Sequence, residues 1–221
     1  MKKLLGLTAT LFLTATGANA NTGTSYCVFN GWGVGLDLGW VGTNVAISFP
    51  GSNADKMNFG NGLVGGRLEW MRSSANSLLY GMGFGLGSGF STSTQALISN
   101  GVNMGSVKLQ RTIYGEMTAR LGYNANNLWA FYGLLAGRVQ KLKVAGTLTE
   151  TGTATINFSQ NKAIWGWAPG FGVDAKLSKT VSVGVEYKYY FEQNMTTAIG
   201  SLNNNLKINS HNIVARLTYH F

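Results

Sequence analysis

The sequence predicts an all-β protein: an eight-stranded antiparallel up-and-down barrel whose strands cross a membrane. Three observations carry that prediction. Hydropathy alternates with a period of two residues in eight separate segments. The connections between segments alternate between short and long. Six acids and six bases inside the segments share one phase of the alternation, and the mid-strand part of the other phase is apolar. Composition agrees. Only 11% of the residues are charged, against about 25% in soluble globular proteins. Glycine supplies 31 of 221 residues and aromatics 12%, the opposite of a disordered chain. The single cysteine, Cys27, excludes a disulfide framework and a multi-cysteine zinc site. Mean hydropathy is +0.05, and past the N-terminus no run approaches the ~20 apolar residues of a spanning helix.

Residues 1–20 read as a secretory signal peptide. Met1-Lys2-Lys3 is a basic start, residues 4–13 are apolar, and Ala18-Asn19-Ala20 is an A-x-A cleavage site. The residues before Cys27 are Thr24-Ser25-Tyr26, which is not a lipoprotein signal. Residues 21–30 form a short N-terminal segment, and the barrel takes residues 31–221. Beyond residue 20 the chain carries 15 bases and 8 acids, because only Lys2 and Lys3 precede it.

Each strand follows from its alternation. In residues 31–43, Trp32, Val34, Leu36, Leu38 and Trp40 oppose Asp37 and three glycines. In 59–72, Val64, Leu68 and Trp70 oppose Arg67 and Glu69. In 78–90, Leu78, Tyr80, Met82, Phe84 and Leu86 oppose glycines only. In 108–123, Leu109, Ile113, Met117, Ala119 and Leu121 oppose Gln110, Thr112, Tyr114, Glu116 and Arg120. In 128–142, Trp129, Phe131, Leu135 and Val139 oppose Tyr132, Arg138 and Gln140. In 163–177, Trp165, Trp167, Phe171, Val173 and Ala175 oppose Asp174 and Lys176. In 181–192, Val181, Val183, Val185, Tyr187, Tyr189 and Phe191 oppose Ser182, Glu186, Lys188 and Glu192. In 207–221, Ile213, Ala215, Leu217, Tyr219 and Phe221 oppose Asn212, Arg216, Thr218 and His220. Pro169 cannot donate to a ladder inside a closed wall, so a bulge is expected there.

Residues 73–77, 124–127 and 178–180 are short turns, and 44–58, 91–107, 143–162 and 193–206 are long polar loops. This sorting suits a transmembrane barrel with periplasmic turns, extracellular loops and both termini periplasmic. Alternation alone also fits a soluble barrel with its apolar phase inside. Three features favour the membrane. Aromatics gather toward the two ends of the apolar face, as in interfacial belts. The polar phase carries six acids (Asp37, Glu69, Glu116, Asp174, Glu186, Glu192) against six bases (Arg67, Arg120, Arg138, Lys176, Lys188, Arg216). Such balance suits a closed interior polar network, where an unpaired charge is costly. The chain ends on a strand phenylalanine.

Gly-Phe-Gly-Val-Asp-Ala-Lys-Leu-Ser-Lys-Thr-Val-Ser-Val-Gly-Val-Glu-Tyr-Lys-Tyr (170–189) resembles the late hairpin of small OmpA/OmpX-type and opacity-family barrels. Ala-Arg-Leu-Thr-Tyr-His-Phe (215–221) is similar to their terminal strand. The resemblance implies a Gram-negative outer-membrane address. It also implies that Leu217, Tyr219 and Phe221 form the signal read by the barrel-assembly machinery. That family hosts adhesins, structural proteins and narrow pores.

Chemistry is sparse. The two histidines are His211 and His220. Ser210 and His211 are neighbours on a strand and face opposite ways, so they form no nucleophile–base pair. No cofactor, metal site or nucleic-acid partner is expected. Arg111, Lys141 and Lys207 hold the lipid-facing phase near strand ends and are the candidate contacts for lipopolysaccharide phosphates. Eight strands leave room only for side chains, which favours a plugged lumen over an ion path. The expected function is a monomeric, non-enzymatic surface protein with a structural or adhesion role through its loops. A narrow porin is the alternative, and a lipid-modifying enzyme stands third.

Overall fold

The computed structural model describes residues 29–48, 55–74, 77–99, 102–126, 128–149, 155–199 and 202–221. The expected signal peptide and Cys27 lie outside them. Ten strands are present: β1 (Gly31–Ser48), β2 (Asp55–Ser73), β3 (Leu78–Gly89), β4 (Thr92–Ser99), β5 (Val102–Ala125), β6 (Trp129–Thr149), β7 (Thr155–Lys176), β8 (Val181–Glu192), β9 (Met195–Ile199) and β10 (Leu202–His220). β3 with β4, and β8 with β9, are single staves interrupted for two residues. Each stave pairs antiparallel with its neighbours in sequence, and β10 closes on β1. The result is an eight-stave ring.

Following hydrogen-bonded partners once round the ring leads from Gly31 through Met71, Gly81, Arg120, Leu134, Gly170, Lys188 and Asn212 to Val41. The displacement is ten residues. With a rise of ~3.3 Å per residue and a strand spacing of ~4.8 Å, the strands tilt by about 41°, inside the usual barrel range.

The apolar phase faces out. Leu36, Leu38, Met82, Met117, Leu121, Leu135 and Phe171 are each more than half exposed. A water-soluble wall would not carry a continuous apolar band of this kind. The polar phase faces in, and the glycines opposite the large side chains make room for it. A Cβ on Gly172, for instance, would sit 2.6 Å from two ring carbons and the hydroxyl oxygen of Tyr132.

The strands outrun the apolar band. β1 reaches Ser48 and β2 starts at Asp55; β6 reaches Thr149 and β7 starts at Thr155. Most of the spans 44–58 and 143–162 are therefore ladder. β4 and β9 lie within 91–107 and 193–206. Inside this far end the lining is apolar. Val45, Met57, Phe59, Leu206 and Ile208 from β1, β2 and β10 pack against Val107, Leu109, Leu142, Val144 and Ile164 from β5, β6 and β7. Above the band the wall is thus a two-sheet sandwich, β9–β10–β1–β2 against β4–β5–β6–β7, polar outside and apolar inside.

Two sequence expectations are corrected here. The bulge is not at Pro169. β7 keeps one register with β8 on both sides of that residue (Gly166 with Glu192, Gly170 with Lys188), and the ladder simply lacks the pairs in between. Pro169 still pairs with Leu135 on β6, so its missing N–H falls on the β8 side. The bulge lies in β5, between Arg111 and Tyr114 opposite β6. One extra residue inverts the facing of everything above it. Leu109, expected outside, is buried, and Lys108 is exposed.

Candidate functional site

The lumen of the band holds a buried ion-pair network. Glu186 on β8 is its hub and has no solvent exposure. Arg216 approaches its carboxylate at 2.7 Å, Arg120 at 2.9 Å, Lys188 at 3.0 Å and Arg67 at 3.2 Å. Each of these cations keeps a second carboxylate. Arg67 holds Asp37 at 2.8 Å, Arg120 holds Glu69 at 2.8 Å, Arg216 holds Asp174, and Lys188 holds Glu116. Glu116 also accepts from Arg138 at 2.6 Å and from the Tyr190 hydroxyl at 2.5 Å. Arg138 is sandwiched by rings, 4.0 Å from the Tyr190 centroid and 4.7 Å from that of Tyr114. The Tyr132 hydroxyl donates to Asp174 at 3.1 Å and to Glu186 at 3.2 Å.

This geometry follows from alternation. Glu186 and Lys188 are one turn of the pleat apart on β8, and Arg216 lies on β10, so they share the inner face. Glycines at the intervening inner positions let the long cations reach across. Arg67 and Glu186 meet although 119 residues separate them in sequence. Several of the bonds are bidentate, which fixes guanidinium planes as well as positions.

Among the twelve residues expected in the interior, Asp37, Arg67, Glu69, Glu116, Arg120, Arg138, Asp174, Glu186, Lys188, Glu192 and Arg216 are buried and paired. Lys176 shares the inward phase at the end of β7 and is half-buried. Arg111 is a correction. It was expected to face lipid but is only 2% exposed. Its guanidinium meets Glu192 at 3.0 Å, the Thr43 hydroxyl at 2.9 Å, and Gln140. The bulge is the cause, because it turns residues 111 and 109 inward. Lys141 and Lys207 do face outward. A parity count broken at residue 112 would have found Arg111, but nothing in the sequence marks the break.

A Ser–His pair also escaped the sequence. Ser182 Oγ and His220 Nε2 are 2.8 Å apart, with Glu69 and His220 flanking Gly33 on its two neighbours. Ser182 is 2% exposed and His220 5%. Phe29 stands edge-on to the imidazole at 6.2 Å, and Glu69 Oε2 is committed to Arg120 and Arg216. The pair therefore stitches β8 to β10 beneath the Phe29 ring. Among the described residues no group of histidine, cysteine and carboxylate side chains is arranged to hold a metal. On the outer face, Leu217, Tyr219 and Phe221 are exposed in one row, and Phe221 N donates to Trp32 O at 2.9 Å.

A sequence model of the outer membrane protein beta-barrel domain matches residues 6–221. The chain belongs to this outer-membrane β-barrel family. The apolar band is accordingly the lipid-facing surface of an outer-membrane protein. Solved barrels of similar fold include Ail, the attachment invasion locus protein of Yersinia pestis. It is 15% identical, with 87% of this chain and 99% of that one covered at a TM-score of 0.42. Neisserial surface protein A is 15% identical over 87% and 98% at 0.40. The outer-membrane protease OmpT of Escherichia coli is 8% identical over 87% and 97% at 0.46. No curated protein matches the chain in sequence.

Proposed function

We propose that the protein is a non-conducting, non-enzymatic surface barrel whose projecting sandwich binds partners outside the cell, with both chain ends in the periplasm. The supporting observation is an asymmetry between the two seams of the sandwich. The β2–β4 seam is sewn: Gly62 N donates to Ser91 Oγ at 2.7 Å, Gln95 Nε2 to Asn58 O at 2.9 Å, and Phe90 N to Gly62 O at 3.1 Å. At the other seam, Gln193 N donates to Trp165 O at 2.9 Å. Beyond that bond, β7 pairs with β6 alone among the described residues. By the two-residue alternation of the ladder, Asn157, Ser159, Asn161 and Ala163 aim N–H and C=O groups at this open edge. An unpaired edge is a template for an added strand, and β7 offers one on the outside of the cell.

Two measurements test the reading. Cells producing the wild type should adhere to protein-coated surfaces, and cells producing Asn161→Pro, which removes one edge N–H at a site where proline is tolerated, should adhere less. Planar bilayers containing the purified barrel should stay silent. Adherence equal to that of cells lacking the protein rejects the interaction role. Frequent, stable, ohmic steps reject the plugged lumen and favour a narrow porin.

A further inference from the structure

We propose that Lys162 makes the open edge of β7 selective for an extended protein segment that carries an acidic side chain. The inference rests on the edge-binding role proposed above and names the chemistry of the partner. Alternation along β7 gives Gln160, Lys162 and Ile164 one phase, the one that turns toward the interior of the sandwich. Ile164 is buried in the apolar core there, and Lys162 pairs with Leu142, another member of that core. Alternation alone would therefore bury Lys162. It is exposed instead, because among the described residues no strand pairs with β7 on its other side at this level. Its ammonium has no ion-pair or hydrogen-bond partner among the described residues.

An inward-pointing charge guards a bare sheet edge against indiscriminate pairing. An added strand places one side chain directly opposite Lys162 and covers the ammonium. The Trp165 carbonyl accepts from Gln193 N, so the odd-numbered residues of β7 bond toward the edge and Lys162 occupies a non-hydrogen-bonded position. In an antiparallel addition, facing side chains stand closest at such positions, with Cα atoms about 4.5 Å apart. An apolar residue there leaves a covered cation unpaired, which is costly. A lysine or arginine adds repulsion, and an aspartate or glutamate closes an ion pair. Gln160, the next residue of this phase, is half-buried and uncharged, so Lys162 alone sets the sign.

The outer face favours the same partner charge. Lys141 and Lys143 are exposed and pair with Ala163 and Asn161. Outward side chains of an added strand would lie two strand spacings from them, about 10 Å, close to one screening length. Asp37, Glu69, Glu116, Asp174, Glu186 and Glu192 are buried inside the barrel, so none of these acids offsets the three lysines. A second copy of the chain is a poor occupant, because its own β7 edge presents the same cations.

The probes are three fluorescein-labelled nine-residue peptides of alternating threonine and valine, whose central residue is glutamate, glutamine or lysine. Binding to the full-length barrel in neutral detergent is read by fluorescence anisotropy, with the fold of each variant checked by heat-modifiable mobility. The glutamate peptide should bind the wild type roughly fivefold more tightly than the glutamine peptide, and the lysine peptide roughly fivefold more weakly. Lys162→Glu should reverse that order, Lys162→Gln should flatten it, and Asn161→Pro should weaken all three peptides alike. Equal affinities of the three peptides for the wild type overturn the proposal and leave the edge-binding role standing. A charge preference undiminished in Lys162→Gln does the same. If no peptide binds the wild type, the edge-binding role and the proposal fall together.

Discussion

Glu186→Gln removes one charge from the centre of the lumen and almost nothing else. The amide has the same shape and fits where the carboxylate stood, fully buried. Four cations at 2.7–3.2 Å lose their common partner. The network then holds Arg67, Arg111, Arg120, Arg138, Lys188 and Arg216 against five carboxylates rather than six. Leaving a buried charge uncompensated costs about 3–5 kcal/mol. Each affected cation retains at least one carboxylate, which offsets part of that, so about 3 kcal/mol is the expected loss. In urea, with a slope of about 1–3 kcal/mol per molar, the unfolding midpoint should fall by roughly 1 M or more. Tryptophan fluorescence of the barrel in phospholipid vesicles, with the heat-modifiable gel band as a second probe, measures it. Asp37→Asn should cost less, about 1–2 kcal/mol, because Asp37 has Arg67 as its ion-pair partner and Arg67 keeps Glu186. Adding Arg67→Gln to Glu186→Gln should recover part of the loss by restoring charge balance. A Glu186→Gln midpoint equal to that of the wild type would mean that the hub contributes no stability, and the reasoning from buried pairing would be refuted.

Three further outcomes are expected. Gly172→Ala should lower stability by about 1–3 kcal/mol through its clash with the hydrogen-bonded Tyr132 ring, whereas Gly137→Ala, with open space beside it, should leave the urea midpoint unmoved. A cysteine at Lys108 should react with a membrane-impermeant maleimide on whole cells and cysteines at Leu109 or Arg111 should not, which checks the β5 bulge directly. Phe221→Ala should slow insertion into the outer membrane, followed by heat-modifiable mobility. Leu177→Ala, another exposed apolar position, should not, because the terminal row Leu217, Tyr219 and Phe221 is where the assembly machinery is expected to read the chain.

Strand number, the inner and outer phases of the band and the interior identity of most charged residues were legible in the sequence. The reason is local and periodic. A two-residue repeat is the same wherever the strand sits, and lipid on one side with a narrow lumen on the other leaves charged side chains a single place to go. Thus Glu186, Arg216 and Glu116 could be assigned to one face before any contact was known. Which of them touch depended on the ten-residue stagger of the ring, a property of closure that belongs to no single strand; it brings Arg67 to Glu186 and makes Glu186 the hub. Above the band, periodicity misled. One extra residue near Thr112 inverts the phase, so Arg111 went inside and Lys108 outside, and both patterns are equally good alternations when read alone. The long polar spans also concealed strands, because there the solvent lies outside and the apolar side chains of the sandwich core alternate inward against a polar exterior. Alternation marks two different faces but not which one is wet, and only the packing of β1, β2 and β10 against β5, β6 and β7 decided that.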